Sequence, residues 1–317
     1  MGIKDMDIQF AQYLKEAELK QVPPLSTLQL EEARSITNER AYSEISKPGK
    51  VNELKDIIIR GYKSDITLRL YKPEGKPPFP VVLFFHGGGW VFGNIRTYES
   101  LCYQIANLSS CAVISVDYNL APEHKFPEPV EDCYCALIWT LKNSYKYGCD
   151  PSRLIVCGDS AGGNLSAVIT HISKDRGVSY IGYQLLMYPA VDLSSFNSDS
   201  YKLFGKGYGL NKEDVIWCIE QYLNNKDERL NPYVSPLFAK DFSNLPPAYI
   251  ITAGYDVLRD EGHEYANKLE KAGVSVTVKC YESFIHGFFT MDVVSDAIRP
   301  AIVETAQFLK KVFSKLA

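Results

Sequence analysis

The sequence lacks long apolar runs. The longest uninterrupted ones, such as Val81–Phe85, fall far short of the roughly 20 residues needed to cross a bilayer. The opening, MGIKDMDIQF, places charges where a secretory leader needs an apolar core, and Met6 stands where N-myristoylation requires Ser or Thr. The expectation is a cytoplasmic protein without stable membrane association. No Lys/Arg-rich block is present, and a formal net charge of −4 supplies no basic field to hold nucleic acid or anionic lipid. Internal repeats and low-complexity tracts are also missing, which excludes solenoids and propellers. There is no C-x-x-C pair. Cysteines 102, 111, 133, 135, 149, 157, 218 and 280 stand in apolar stretches, and Cys133-x-Cys135 has no matching His or Cys cluster. Reduced structural thiols, with no metal, are therefore expected.

What is present is the material for a large core: 46% of the 317 residues are apolar and 23% are charged. Residues 3–20 and 27–44 read as two amphipathic helices split by Val22-Pro23-Pro24. Short β-rich runs follow at 55–60, 66–72, 81–85, 112–116, 154–157, 184–188, 248–253 and 276–281. The first two lie close enough for a hairpin. Beyond them, helical patterns intervene at about 97–108, 129–146, 162–175 and 261–272, with a last one near 297–316. The inner runs VVLFF, AVISV, LIVC, QLLMY and AYIITA are continuously apolar, as strands covered by helices on both faces must be. The pattern predicts an α/β fold with an eight-stranded, mostly parallel sheet flanked by helices. Its ligand would bind beyond the carboxyl ends of the strands. The alternation breaks between Asp192 and about Leu245. Residues 192–232 read as an inserted cap, roofed jointly with N-terminal helices in 1–50, over a catalytic domain spanning 51–317.

The strongest chemical signal is Gly158-Asp159-Ser160-Ala161-Gly162-Gly163, which follows the strand LIVC and opens a helical pattern. A serine on a tight strand-to-helix turn needs side-chain-free neighbours two residues before and after it, and the turn pushes its hydroxyl above the sheet. The helix behind it aims its positive end at any oxyanion formed there. The second signal is His86-Gly87-Gly88-Gly89-Trp90 after VVLFF. Such a loop can present backbone N–H groups to an oxyanion together with that of Ala161. A Walker-type phosphate cradle would end in Gly-Lys-Ser/Thr, which is absent. His86 reads as a brace for the loop.

An activated serine needs a base, and the base an orienting acid. His171 and His263 fall in helical patterns, and His124 lies in a proline-rich loop. His286 follows the last predicted strand beside Gly287. Asp256 follows the strand AYIITAGY, with Asp260 and Glu261 as competitors better explained at a helix start.

These motifs resemble the hormone-sensitive lipase family of α/β-hydrolase esterases. The likeness rests on HGGGW at 86–90, DYNLAPEHKFP at 117–127, GDSAGGN at 158–164, DVLRDEG at 256–262 and HGF at 286–288, in the family's order. It implies an α/β-hydrolase fold, with Ser160 as nucleophile, His286 as general base and Asp256 as orienting acid. It maps the oxyanion hole onto Gly87, Gly88 and Ala161. It also implies a serine carboxylesterase for small, short- to medium-chain acyl esters that uses no cofactor, and a homodimer by analogy with related esterases. Two departures stand out. Asn119 replaces the family's common Arg, which should weaken or remove an ion pair, although Glu123 is kept. Val257 replaces a common Pro beside the acid. Rival readings are an amide-directed deacetylase of the same fold, a lipase for long acyl chains, and a non-catalytic receptor. The plant gibberellin receptor resembles this family but has lost the triad histidine, whereas His286 is present here. Trp90, Tyr188, Phe204, Tyr208 and Phe288 are the candidate pocket liners, with core packing as the alternative for each.

Overall fold

The apolar runs become strands, and the strands form one sheet. The computed structural model describes residues 5–21, 23–46, 49–178 and 180–316. Among the described residues the eight strands are β1 (Glu53–Arg60), β2 (Asp65–Lys72), β3 (Phe79–Phe85), β4 (Ala112–Asp117), β5 (Cys149–Asp159), β6 (Ile181–Met187), β7 (Ala248–Tyr255) and β8 (Val276–Ile285). They lie in the order β1-β2-β4-β3-β5-β6-β7-β8. The expected hairpin is there: β1 runs antiparallel to β2, with Glu53 opposite Lys72 and Arg60 opposite Asp65. β2 is antiparallel to β4, and every later neighbour is parallel.

Continuous apolar sequence is needed because both faces are covered. Val81, Leu83 and Phe85 of β3, with Leu154 and Val156 of β5, face the layer of α4 (Glu128–Asn143) and α5 (Ala161–Asp175). Their alternating neighbours Val82, Phe84, Ile155 and Cys157 face α3 (Glu99–Ser109) and α9 (Ile298–Phe313). α8 (Arg259–Lys271) completes the first layer, packing Tyr265 and Leu269 against Leu186 and Ile250. All seven residues of β3 are buried.

The N-terminal segment forms α1 (Ile8–Leu19), a 3₁₀ turn (Leu25–Thr27) and α2 (Leu30–Glu44). α1 starts later than its apolar pattern suggests because the Asp7 carboxylate accepts the N–H groups of Gln9 and Phe10 at 3.1 and 3.3 Å, an N-cap. The expected helical residues before Asp5, and Val22 of the expected break, lie outside the described residues. Phe10 is buried and meets Phe284 edge-on at 5.3 Å, anchoring α1 to the end of β8.

Between β6 and β7 lie α6 (Asp199–Phe204) and α7 (Lys212–Tyr222). α7 crosses the loop that follows β3. Trp217 stacks on Phe92 at 5.8 Å, and Tyr222 stacks on Trp90 at 4.6 Å with 5° between the planes. Among the described residues no helix is long and apolar enough to cross a membrane. All eight cysteines are free, and burial pushes up the thiols of Cys102, Cys111, Cys133, Cys157 and Cys218.

Candidate active site

Ser160 sits between the end of β5 and the start of α5 with φ 53° and ψ −116°, a left-handed backbone that a serine adopts only under constraint. Its N–H donates to the Met187 carbonyl at 2.9 Å, and its own carbonyl accepts from Asn164 at 3.0 Å. The flanking glycines are required by space. A Cβ on Gly158 would lie 2.3 Å from the Gly162 carbonyl oxygen, and one on Gly162 would lie 1.9 Å from that of Phe85.

The carboxyl ends of β7 and β8 bring two more groups to the serine. The His286 ring lies with Nε2 2.9 Å from Ser160 Oγ and Nδ1 2.8 Å from Asp256 Oδ2. A carboxylate can only accept, so Nδ1 carries the proton and Nε2 is left to accept the serine hydroxyl. The Asp256 side chain is wholly buried, and its Oδ1 accepts the Leu258 N–H at 2.9 Å, so both oxygens are committed. Gly287, at φ 80°, turns the chain directly after the histidine. The ring of His286 rests against Tyr188 at 4.8 Å.

The glycine loop after β3 makes a turn of its own. The Gly88 carbonyl accepts from Val91 and Phe92 at 3.1 and 2.8 Å, with Gly88 at φ 108° and Gly89 at φ 59°. Among the described residues no group accepts from the N–H of Gly88, Gly89 or Ala161. Ala161 opens α5, where the first N–H groups have no partner within the helix.

Residues 82–290 match the family model described as the alpha/beta hydrolase fold. A carboxylic ester hydrolase of Mycobacterium tuberculosis is 41% identical over 246 residues, covering 75% of this chain and 65% of that protein. An arylesterase of Saccharolobus solfataricus is 35% identical over 288 residues, covering 90% of this chain and 92% of that one. The solved structure of an ester hydrolase from the Lake Arreo metagenome superposes with a TM-score of 0.94 at 37% identity, over 98% of this chain and 99% of that one. The chain belongs to the hormone-sensitive lipase-like α/β-hydrolase esterases.

Several expectations for this esterase need revision against the geometry. Gly87 was expected to donate to the oxyanion, but its N–H is engaged: it donates to Asp159 Oδ1 at 2.8 Å. Among the described residues the N–H groups of Gly88 and Gly89 on that loop have no acceptor. The resemblance leaves out Gly89, which the reading of the glycine loop includes, and neither points to Asp159, although an acid ending so apolar a strand is itself a signal. His86 is the brace expected of it. It is fully buried, its ring stacks on Tyr118 at 4.3 Å, its Nδ1 donates to the Gly87 carbonyl, and its own carbonyl accepts the Tyr118 hydroxyl at 2.7 Å.

The competing acids are occupied elsewhere. Asp260 accepts the Ser200 N–H at 2.7 Å, and Glu261 accepts those of Val191 and Asp192 at 2.7 and 3.2 Å. Burial raises the Glu261 carboxyl well above the usual carboxylate range. The remaining histidines also have other tasks. His171 pairs with Tyr265, His263 with Thr252 and His124 with Glu128.

Of the aromatic candidates, Tyr188 touches the His286 ring, and Tyr208 is part-exposed and stacked on Tyr255 at 5.6 Å. Trp90 and Phe204 are buried, packed on Tyr222 and on Tyr255 respectively. Phe288 is wholly buried in a cluster with Tyr281, Phe284 and Phe289, which makes it core packing.

The loop carrying Asn119 keeps Glu123 paired, and Asn119 supplies hydrogen bonds in place of an ion pair. Glu123 keeps a full two-point ion pair, with Arg34 of α2, while Asn119 Nδ2 donates to Asp132 Oδ2 at 2.7 Å and to Ser64 at 2.9 Å.

Proposed function

We propose that this carboxylesterase hydrolyses small, short- to medium-chain acyl esters through an acyl-enzyme on Ser160. The observation that carries the reading is the chain of hydrogen bonds from Ser160 Oγ through His286 to Asp256, at 2.9 and 2.8 Å, on a strained elbow. His286 Nε2 takes the hydroxyl proton as Oγ attacks the ester carbonyl. The resulting imidazolium is stabilised by Asp256. The N–H groups of Gly88, Gly89 and Ala161 receive the developing oxyanion, each worth about 3 kcal/mol in the transition state. His286 then hands the proton to the departing alcohol and activates the water that frees the acid. These steps need no metal or organic cofactor.

The helices in 1–50 and the segment 192–232 act as the cap over this centre. Cys218 of α7 supports that role: a Cβ on Gly89 would lie 2.6 Å from its sulfur. The eight unpaired cysteines fit a reducing, cytoplasmic setting. A homodimer is part of the proposal, by analogy with related esterases.

The test is hydrolysis of p-nitrophenyl esters from acetate to palmitate by wild type and Ser160→Ala. Turnover of the short esters by wild type, with the variant inert and melting normally, is the expected result. A variant that keeps its activity would remove Ser160 from the chemistry. A wild type inert on every ester would remove the esterase reading itself.

A further inference from the structure

Asp159 ends β5 with 2% of its surface exposed, one residue before Ser160. Its two oxygens serve different segments: Oδ1 accepts the Gly87 N–H at 2.8 Å, and Oδ2 accepts the Tyr98 hydroxyl at 3.0 Å. No Lys or Arg pairs with it among the described residues, and burial lifts its pKa to about 6. A buried carboxylate without a cation is expensive to keep, so its bonds should matter to the molecule.

The position of those bonds says what they do. The β3–β5 ladder ends with Phe85 opposite Gly158. Beyond it the glycine loop leaves the sheet, and the Asp159 side chain extends the connection past the last backbone pair. The three glycines divide accordingly. Gly88 and Gly89 are needed both for their positive φ and for room, since a Cβ on Gly88 would lie 2.3 Å from the Phe92 carbonyl oxygen. Gly87 is needed for room: a Cβ there would lie 2.7 Å from both Asp159 Oδ2 and the Tyr98 oxygen.

We infer that Asp159 is a positioning residue that docks the glycine loop onto the serine elbow. It thereby holds the Gly88 and Gly89 N–H groups in register with that of Ala161. This rests on the proposal that Ser160 is the nucleophile. Because Asp159 and Ser160 are adjacent, one rigid stretch of backbone carries both the attacking group and the dock for its oxyanion donors.

The experiment is steady-state hydrolysis of a short p-nitrophenyl ester by wild type, Asp159→Asn, Asp159→Ala, Gly87→Ala and the double variant Asp159→Ala/Gly87→Ala. Melting temperatures are taken alongside. Asn keeps an acceptor for the Gly87 N–H and should retain at least about a tenth of the wild-type kcat, whereas Ala should fall on the order of 100-fold with KM nearly unchanged. Binding of a trifluoromethyl ketone, which mimics the oxyanion, should weaken in parallel. The double variant should fall no further than the worse single one, since both break the same bond.

Wild-type kcat in Asp159→Ala, an Asn variant as damaged as Ala, or additive losses in the double variant would each overturn the inference. Should Asp159→Ala melt too low to assay, Gly87→Ala carries the test: kcat lost with KM kept supports docking, and unchanged kcat refutes it. An active wild type with an inert Ser160→Ala isolates these outcomes from the esterase reading.

Discussion

Arg34 grips Glu123 at two points, Nη1 to Oε1 at 2.7 Å and Nη2 to Oε2 at 2.8 Å, across 89 residues of sequence. The same guanidinium donates to the Val91 carbonyl at 3.1 Å and the Ala121 carbonyl at 2.9 Å. One side chain of α2 therefore ties the outer end of the glycine loop to the loop after β4. The fork geometry matters, because a lysine ammonium could not meet all four acceptors at once.

Arg34→Ala should lower stability by about 1–2 kcal/mol, since the pair is part-exposed and most of the loss comes from the two carbonyl bonds. It should also reduce kcat roughly threefold by loosening the loop. Arg34→Lys should recover little of either. Urea unfolding and ester hydrolysis on the same samples check both, and a fully rescued Lys variant would show that charge alone is enough.

Glu261 offers a contrast between shape and charge. Its carboxyl is buried, with its pKa raised by that burial, and it accepts two backbone N–H groups just past β6. Glu261→Gln should therefore be nearly neutral, because the amide oxygen can still accept. Glu261→Ala should cost about 2–3 kcal/mol by leaving two buried donors unmet. Denaturant midpoints distinguish them; equal losses would mean that the charge is the stabilising part.

His171 should mark the acid limit of the fold. Burial against Phe242 and Tyr265 depresses its pKa from 6.5 to about 4. A lowered pKa means that the folded state favours the neutral ring. The stabilisation is complete above pH 6.5 and disappears as the pH falls from there through about 4, up to about 3 kcal/mol. Thermal melts between pH 8 and 4 should show a shallower acid decline for His171→Leu than for wild type. Parallel curves would show that the ring does not titrate in this window.

The sheet could be read from the sequence because its central strands are buried on both faces, and nothing but unbroken apolar residues serves there. That Ser160, Asp256 and His286 meet could be read for a related reason: each follows a strand at its carboxyl end, and those ends share one rim. What could not be read depends on side chains meeting across the chain. That the Gly87 N–H is not free is decided by the Asp159 carboxylate, 72 residues away in sequence. The pairing of Glu123 with Arg34 is equally remote. Phe288 could not be assigned between pocket and core, because an aromatic beside a motif can turn to the core as easily as to the site. α6, only six residues long, is too short to show a helical period.

The backbone at Ser160 has an evolutionary consequence. A φ of 53° costs a serine about 1–3 kcal/mol that a glycine would not bear. With Ser160 as the proposed nucleophile, the chain that folds best and the chain that reacts are different chains at this position. A lineage released from selection for turnover would gain robustness by substituting glycine at 160, and the loss of its chemistry would be favoured by the fold itself.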